Sequence, residues 1–257
     1  MIFTNTKRGA GSLSIEKDVT DHPFTTSQIE SLAFNFIVEL TKEDGTAYSG
    51  NVPAIKSGDS AFTGLTFTDG KASFTLCDNQ ELNLLDLPEG TTYKVYEVDA
   101  AGDPVGINGV ARAGFKLVSV AGGTASNIAQ GNITENEVKY AHFVNKYVAT
   151  AISPAIDVDI TKTVVGNGAA AEAFTFSIEQ ITPATTWSQI VTTGTGTANA
   201  EKTLNGLSFS GIGTYSFLIH EITPEGSNKT PGMTYDAKRA SFTVVVTDND
   251  MDGNLEW

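Results

Sequence analysis

Residues 13–17 read Leu13-Ser14-Ile15-Glu16-Lys17, an alternation of apolar and polar side chains with a lysine on the apolar side. Successive side chains of a strand point to opposite faces, so Leu13, Ile15 and Lys17 share the face turned toward a core. The pattern recurs at Val158-Asp159-Ile160-Thr161-Lys162, where Val158, Ile160 and Lys162 share a face. Each segment is followed by a second alternating one, Phe34-Asn35-Phe36-Ile37-Val38-Glu39 and Phe174-Thr175-Phe176-Ser177-Ile178-Glu179. After a glycine-punctuated middle, each half has a segment ending in an acid, Tyr93-Lys94-Val95-Tyr96-Glu97 and Tyr215-Ser216-Phe217-Leu218-Ile219-His220-Glu221. Parity puts Glu97 with Tyr93 and Val95, and Glu221 with Tyr215, Phe217 and Ile219. The first half closes with Ala141-His142-Phe143-Val144-Asn145-Lys146-Tyr147, in which Ala141, Phe143, Asn145 and Tyr147 share the inward face. Short strands with turn signals, repeated in order, predict an all-β chain of two tandem sandwiches joined by a linker over 148–155. Residues 26–31 are expected to form a single helical turn.

Lysine is almost never fully buried unless something pairs with it. An inward lysine and an inward glutamate occur in each half, and the first half adds an inward asparagine. Taken singly, each lysine has an ordinary explanation, snorkelling to a strand end or a plain ion pair with a buried glutamate. The ordered set of three predicts instead that the amine of Lys17 has a chemical partner.

Composition narrows the function classes. The chain has 257 residues, 40% of them hydrophobic, which suits two domains of ordinary size. A net charge of −14 without basic clusters argues against nucleic-acid binding. No apolar run approaches the ~18 residues of a spanning helix, so no membrane partner is expected. No secretory signal opens the sequence and no wall-anchoring tail closes it, so a mature chain or a fragment is expected. The single cysteine, Cys77, cannot form an intrachain disulfide, and an extracellular setting would require stability from another source.

The halves differ at their ends. In the second, Phe242-Thr243-Val244-Val245-Val246-Thr247 is a strand, residues 248–253 a turn, and Asn254-Leu255-Glu256-Trp257 the start of a return strand. No counterpart of the Phe143–Asn145 strand follows, whereas Met1-Ile2-Phe3-Thr4-Asn5-Thr6-Lys7 resembles it, with Phe3-Thr4-Asn5 spaced like Phe143-Val144-Asn145. The expected organisation is therefore a donor strand over 1–7 belonging to a neighbouring domain, a first domain over 8–148, and a second over 149–257 completed by a strand in trans. A sandwich lacking its last strand exposes an apolar groove and unpaired edges that invite strand addition. Insertion of residues 1–7 into the second domain of another copy is a head-to-tail contact that builds open chains. The alternative is that the domain boundaries fall elsewhere and leave residual strands at both ends.

These motifs resemble the isopeptide-linker and Cna B-type domains of Gram-positive pilins and surface adhesins, over nearly the whole chain. The residues that carry the resemblance are the first-strand lysines Lys17 and Lys162, the run Leu87-Pro88-Glu89-Gly90-Thr91-Thr92-Tyr93 leading to Glu97, and a last strand of the form Phe-x-Asn-Lys. The resemblance implies tandem immunoglobulin-like sandwiches, extracellular in a cell wall or pilus. It also implies covalent Lys–Asn bonds formed within a domain with the help of the acid. The implied sets are Lys17, Asn145 and Glu97 in the first domain, and Lys162 with Glu221 in the second. The second domain departs from the pattern in having no asparagine of its own in place, and Asn5 of a neighbouring copy is the expected partner. Such a reaction occurs once per site, so the chain is expected to be a self-linking structural module rather than an enzyme.

Physical chemistry makes the linkage feasible without an external catalyst. Desolvation disfavours the ammonium form of a buried lysine and the ionised form of a buried glutamate. A neutral amine can attack, while a protonated acid polarises the carboxamide and passes protons to departing ammonia. Holding the groups in place is worth about 7–11 kcal/mol over a bimolecular encounter.

Other signals weigh less. Asp248-x-Asp250-x-Asp252-Gly253 matches the start of a calcium loop, but it lies between strands and lacks the acid at the twelfth position, so a hairpin turn is expected. His22, His142 and His220 form no pair at metal spacing, and neither a metal nor a cofactor is expected. Gly166-Asn167-Gly168 is expected to be a turn rather than a nucleotide site. A second function class is a ligand-binding adhesin domain for a host matrix protein or glycan, with residues 50–81 presenting a binding loop.

Overall fold

The computed structural model describes residues 9–123, 127–166, 172–196 and 198–257. The strands are β1 (Ala10–Thr20), β2 (Phe34–Thr41), β3 (Gly50–Lys56), β4 (Gly64–Phe67), β5 (Lys71–Leu76), β6 (Gln80–Pro88), β7 (Thr92–Val98), β8 (Val110–Arg112), β9 (Phe115–Ala121), β10 (Ala129–Asn132), β11 (Val138–Tyr147), β12 (Ile156–Lys162), β13 (Ala173–Thr182), β14 (Ser188–Thr195), β15 (Ala198–Leu204), β16 (Gly213–Glu221) and β17 (Arg239–Val246). A one-turn helix, α1 (Thr26–Ile29), follows β1 and opens with a capping box between Thr25 and Gln28. The chain divides into two compact units, one comprising the residues up to Val148 together with Met251–Gly253 and one comprising Ala149–Asp250 and Asn254–Trp257.

In the first unit, a sheet ordered β4-β3-β6-β1-β11-β9-β8 faces a sheet ordered β10-β7-β2-β5. Alternation sends Phe34, Phe36, Val38 and Leu40 of β2 inward, and Leu13, Ile15, Lys17 and Val19 of β1 toward them. Ring contacts join the two sheets: Phe36 of β2 meets Phe143 of β11 at 5.2 Å, and Phe34 meets Phe115 of β9 at 5.7 Å. Between β6 and β7 the chain reverses at Gly90, whose φ of 81° falls in the left-handed region that glycine adopts without steric cost. That turn sets the start of β7 and hence the parity of Glu97.

One pairing lies beyond what the sequence reading addressed, and one segment differs from it. The first strand, β1, pairs in parallel with the last, β11, and antiparallel with β6, so it lies inside the large sheet. Residues 50–81, expected to present a binding loop, instead build β3, β4 and β5 and the start of β6. Their alternating Val52, Ala54, Leu65, Phe67, Ala72, Phe74 and Leu76 all enter the core, which leaves little of the segment free as loop.

The second unit packs a two-stranded sheet, β12-β15, against a sheet ordered β14-β13-β16-β17. Its core gathers Ile156 and Ile160 of β12, Phe174, Phe176 and Ile178 of β13, Phe217 of β16 and Val244 and Val246 of β17. Among the described residues β12 pairs with β15 alone, so the edge corresponding to the β1–β11 pairing has no strand beside it. The expected return strand after 253 is reduced to two isolated bridges, an antiparallel one between Thr247 and Glu256 and a parallel one between Asn254 and Thr150.

Candidate functional site

Lys17, Glu97 and Asn145 are all fully buried in the first unit, at 0% exposure. They come from three strands: Lys17 from β1, Asn145 from the adjacent β11, and Glu97 from β7 in the facing sheet. Parallel pairing sets Lys17 level with Phe143 and Val19 level with Asn145, so lysine and asparagine face the same way one two-residue step apart. Glu97 is level with Phe36 on β2 and points across the sandwich. The Asn145 Nδ2 donates to Glu97 Oε1 at 2.9 Å. Lys17 Nζ donates to the Asp18 carbonyl at 2.8 Å and lies 4.3 Å from the centre of the Phe34 ring. Two buried acceptors of the cluster, Glu97 Oε2 and Asn145 Oδ1, have no hydrogen-bond partner among the described residues.

Burial dominates the protonation behaviour. It pushes the Lys17 amine down to about 8, against the opposing charges of Glu97, Asp78 and Asp18. It pushes the Glu97 carboxyl up to about 7, against the Lys17 charge and the Asn145 hydrogen bond. Burial thus moves both groups toward their neutral forms, and a neutral amine beside a protonated acid is what nucleophilic attack on a carboxamide requires.

In the second unit the arrangement is incomplete. Lys162 Nζ contacts Glu221 Oε2 at 2.8 Å, with side-chain exposures of 14% and 2%. The same oxygen accepts the Asp236 backbone N–H at 3.1 Å, and Lys162 Nζ lies 4.7 Å from the Phe174 ring centre. Glu221 Oε1 is buried and has no hydrogen-bond partner among the described residues. In the first unit the corresponding oxygen receives the asparagine amide; here a cleft of ≈ 540 Å³ adjoins the pair, lined in part by Phe176, Ile219 and Arg239. Asn5 and the strand over 1–7 lie outside the described residues, as do 167 and 168 of the expected turn after Gly166.

Sequence reasoning missed Asp236, whose contribution is a backbone N–H, and the latch holding its loop. Thr230 Oγ1 and Tyr235 OH both donate to Glu172, at 2.6 Å and 3.1 Å, while the Tyr235 ring packs on Phe174. It also missed Asp78, buried in the turn between β5 and β6, whose charge acts on Lys17. On the outer face of the large sheet, at the half-exposed surface, His142 Nε2 lies at hydrogen-bond distance, 2.8 Å, from Asp18 Oδ2 beside Glu16. The Asp248, Asp250 and Asp252 carboxylates gather on the turn after β17, where Met251 and Gly253 take positive φ.

Residues 11–147 match the family described as Domain of unknown function (DUF7601), and residues 158–257 match the Spy0128-like isopeptide containing domain. The pilus tip adhesin Cpa of Streptococcus pyogenes is 40% identical over 97 residues, covering 38% of this chain and 13% of that protein. Among solved structures, the pilus-presented adhesin Spy0125 (Cpa) has 24% identity and a TM-score of 0.41, covering 55% of this chain and 28% of its own. The major pilin of Streptococcus pyogenes has 23% identity and a TM-score of 0.36, covering 54% of this chain and 48% of its own. This chain thus spans a minor part of the length of each of these relatives.

Proposed function

The chain belongs to the family described as Domain of unknown function (DUF7601) and carries a Gram-positive pilin isopeptide domain, and on that premise we propose that its first unit is closed by a Lys17–Asn145 isopeptide bond. It is a pilus structural module rather than an enzyme, and such modules are displayed outside the cell. In the proposed reaction neutral Lys17 Nζ attacks Asn145 Cγ, the Cγ–Nδ2 bond breaks, and ammonia leaves. Glu97 takes a proton from the attacking amine and returns one to the departing nitrogen. A half-turn of the carboxamide exchanges Oδ1 and Nδ2 and lets a protonated Glu97 donate to the carbonyl oxygen, polarising it for attack.

The observation that carries this reading is the complete burial of all three side chains, with the asparagine amide held on the acid. An unpaired lysine and glutamate are costly to bury, and a neutral product amide removes that cost. The bond would join adjacent first and last strands, so that tension passes along a covalent path instead of unzipping the large sheet. Intact mass tests the reading: the chain should be lighter than its sequence by one ammonia per bond, and Glu97→Ala should restore the full mass.

For the second unit the reading is completion by a strand from another molecule. The unpaired edge of β12, the cleft beside Lys162 and the unpartnered Glu221 Oε1 support a carboxamide-bearing occupant. Residues 1–7 of a neighbouring copy, with Asn5 as the amide, are the proposed donor, which would make a head-to-tail covalent polymer. Denaturing electrophoresis of the unmodified chain tests this, with a ladder expected and a monomer band alone counting against it.

A further inference from the structure

Asp78 stands in the tight turn between β5 and β6, where the Gln80 N–H donates to the Cys77 carbonyl at 3.2 Å and Cys77 N–H to the Gln80 side chain at 2.9 Å. The Asp78 side chain is buried, at 6% exposure, and both of its oxygens are engaged. Oδ2 accepts from Asn79 Nδ2 at 2.7 Å, and Oδ1 accepts the backbone N–H of Val19 at 2.6 Å, from a residue far away in sequence. That N–H belongs to the Asp18–Val19 peptide. The carbonyl of the same peptide receives the Lys17 amine at 2.8 Å. Val19 is also the β1 residue level with Asn145. One peptide group therefore links the reactive amine, a buried carboxylate and the strand position facing the reactive amide.

We propose that Asp78 is a positioning residue for the Lys17–Asn145 bond, holding the amine through the Asp18–Val19 peptide. The inference rests on the self-linking reading of the first unit. A carboxylate accepting the peptide N–H polarises that peptide, which makes its carbonyl a stronger acceptor for the amine. The hydrogen bond also pins β1 where it runs beside Asn145. The negative charge has a second effect, because it favours the ammonium form of Lys17 and so opposes the form that attacks. The charged groups acting on the amine are Glu97 from β7, Asp78 from the turn before β6, and Asp18 from its own strand. Its other close neighbours, Phe34 of β2, Gln80 of β6 and Phe143 of β11, carry no charge. Asp78 thus fixes the nucleophile while setting the pH at which it becomes reactive.

The two effects separate by substitution. Asp78→Asn keeps an oxygen acceptor for the Val19 N–H and removes the charge, whereas Asp78→Ala removes both. The full-length chain, freshly translated in a cell-free system and released in denaturant, is diluted into buffers from about pH 5 to about pH 10, and loss of ammonia is followed by intact mass. Asp78→Asn should move the maximum of the bell-shaped rate–pH profile to lower pH by about half a unit without lowering its height. Asp78→Ala should show the same shift with a maximum lower by roughly tenfold. Superimposable profiles for the wild type and Asp78→Asn would overturn the proposal, because a purely structural role moves rates without moving the maximum. A wild-type chain that keeps its full mass at every pH would instead overturn the self-linking reading itself. Should Asp78→Asn not fold, the Lys17 titration measured by NMR in Asn145→Ala, with and without Asp78→Ser, carries the same test; an unchanged midpoint overturns the proposal.

Discussion

Asn145 of β11 lies level with Val19 of β1, not with Lys17, so amide and amine face the core from neighbouring parallel strands, offset by one two-residue step. Both side chains face the core from adjacent strands, and Glu97 reaches from the facing sheet to the amide. A parallel pair of first and last strands also means that a bond between them closes nearly the whole unit into a loop.

Loss of that closure should be felt in stability. Lys17→Ala and Asn145→Ala each remove the proposed link, and by analogy with a disulfide closing a loop of this length the loss is about 4–5 kcal/mol through the unfolded state. Calorimetry should show a lower Tm for the first unit in both variants. Asn145→Ala should be the worse of the two, because it leaves Lys17 and Glu97 buried without the amide.

Bond formation should depend on pH in both directions. The attacking amine must be neutral, and its fraction rises as pH climbs through about 8; the assisting acid must be protonated, and its fraction falls as pH climbs through about 7. The rate of ammonia loss should therefore follow a bell with its maximum between these values. Glu97→Gln should be slower by roughly 10²–10⁴-fold, since it removes the proton relay while keeping the size of the side chain.

The second unit should accept a strand only if it brings a carboxamide. A peptide with the sequence of residues 1–7 should form an adduct with the chain that survives denaturation, and its Asn5→Ala version should not. Lys162→Ala should block both the adduct and the ladder of polymers. A ladder that persists in Asn5→Ala chains would assign the donor strand elsewhere.

The latch over the second site should contribute measurably. Tyr235→Phe removes the hydroxyl shared between Glu172 and the Thr230 N–H, and should cost about 1 kcal/mol. A fall in the Tm of the second unit, with the first unchanged, is the expected thermal signature.

Much of this was legible from alternation alone. Period-two parity put Lys17, Glu97, Asn145, Lys162 and Glu221 on core-facing positions, because a half-buried strand exposes its inward side every second residue. Parity says nothing of which strands become neighbours, so the parallel β1–β11 pairing emerges only from tertiary structure. Residues 50–81 read as a long middle segment presenting a binding loop, yet Phe67, Phe74 and Leu76 bind them into the core. Asp78 had no local signature, since its role depends on a hydrogen bond to Val19, and Asp236 acts through a backbone group that any residue supplies.

Tandem mass spectrometry of the proteolysed chain tests the central claim most directly. The account predicts a branched peptide containing Lys17 joined to Asn145, lighter by one ammonia than its two parts combined and absent from Glu97→Ala. Separate, unmodified Lys17 and Asn145 peptides from the folded wild-type chain would contradict it.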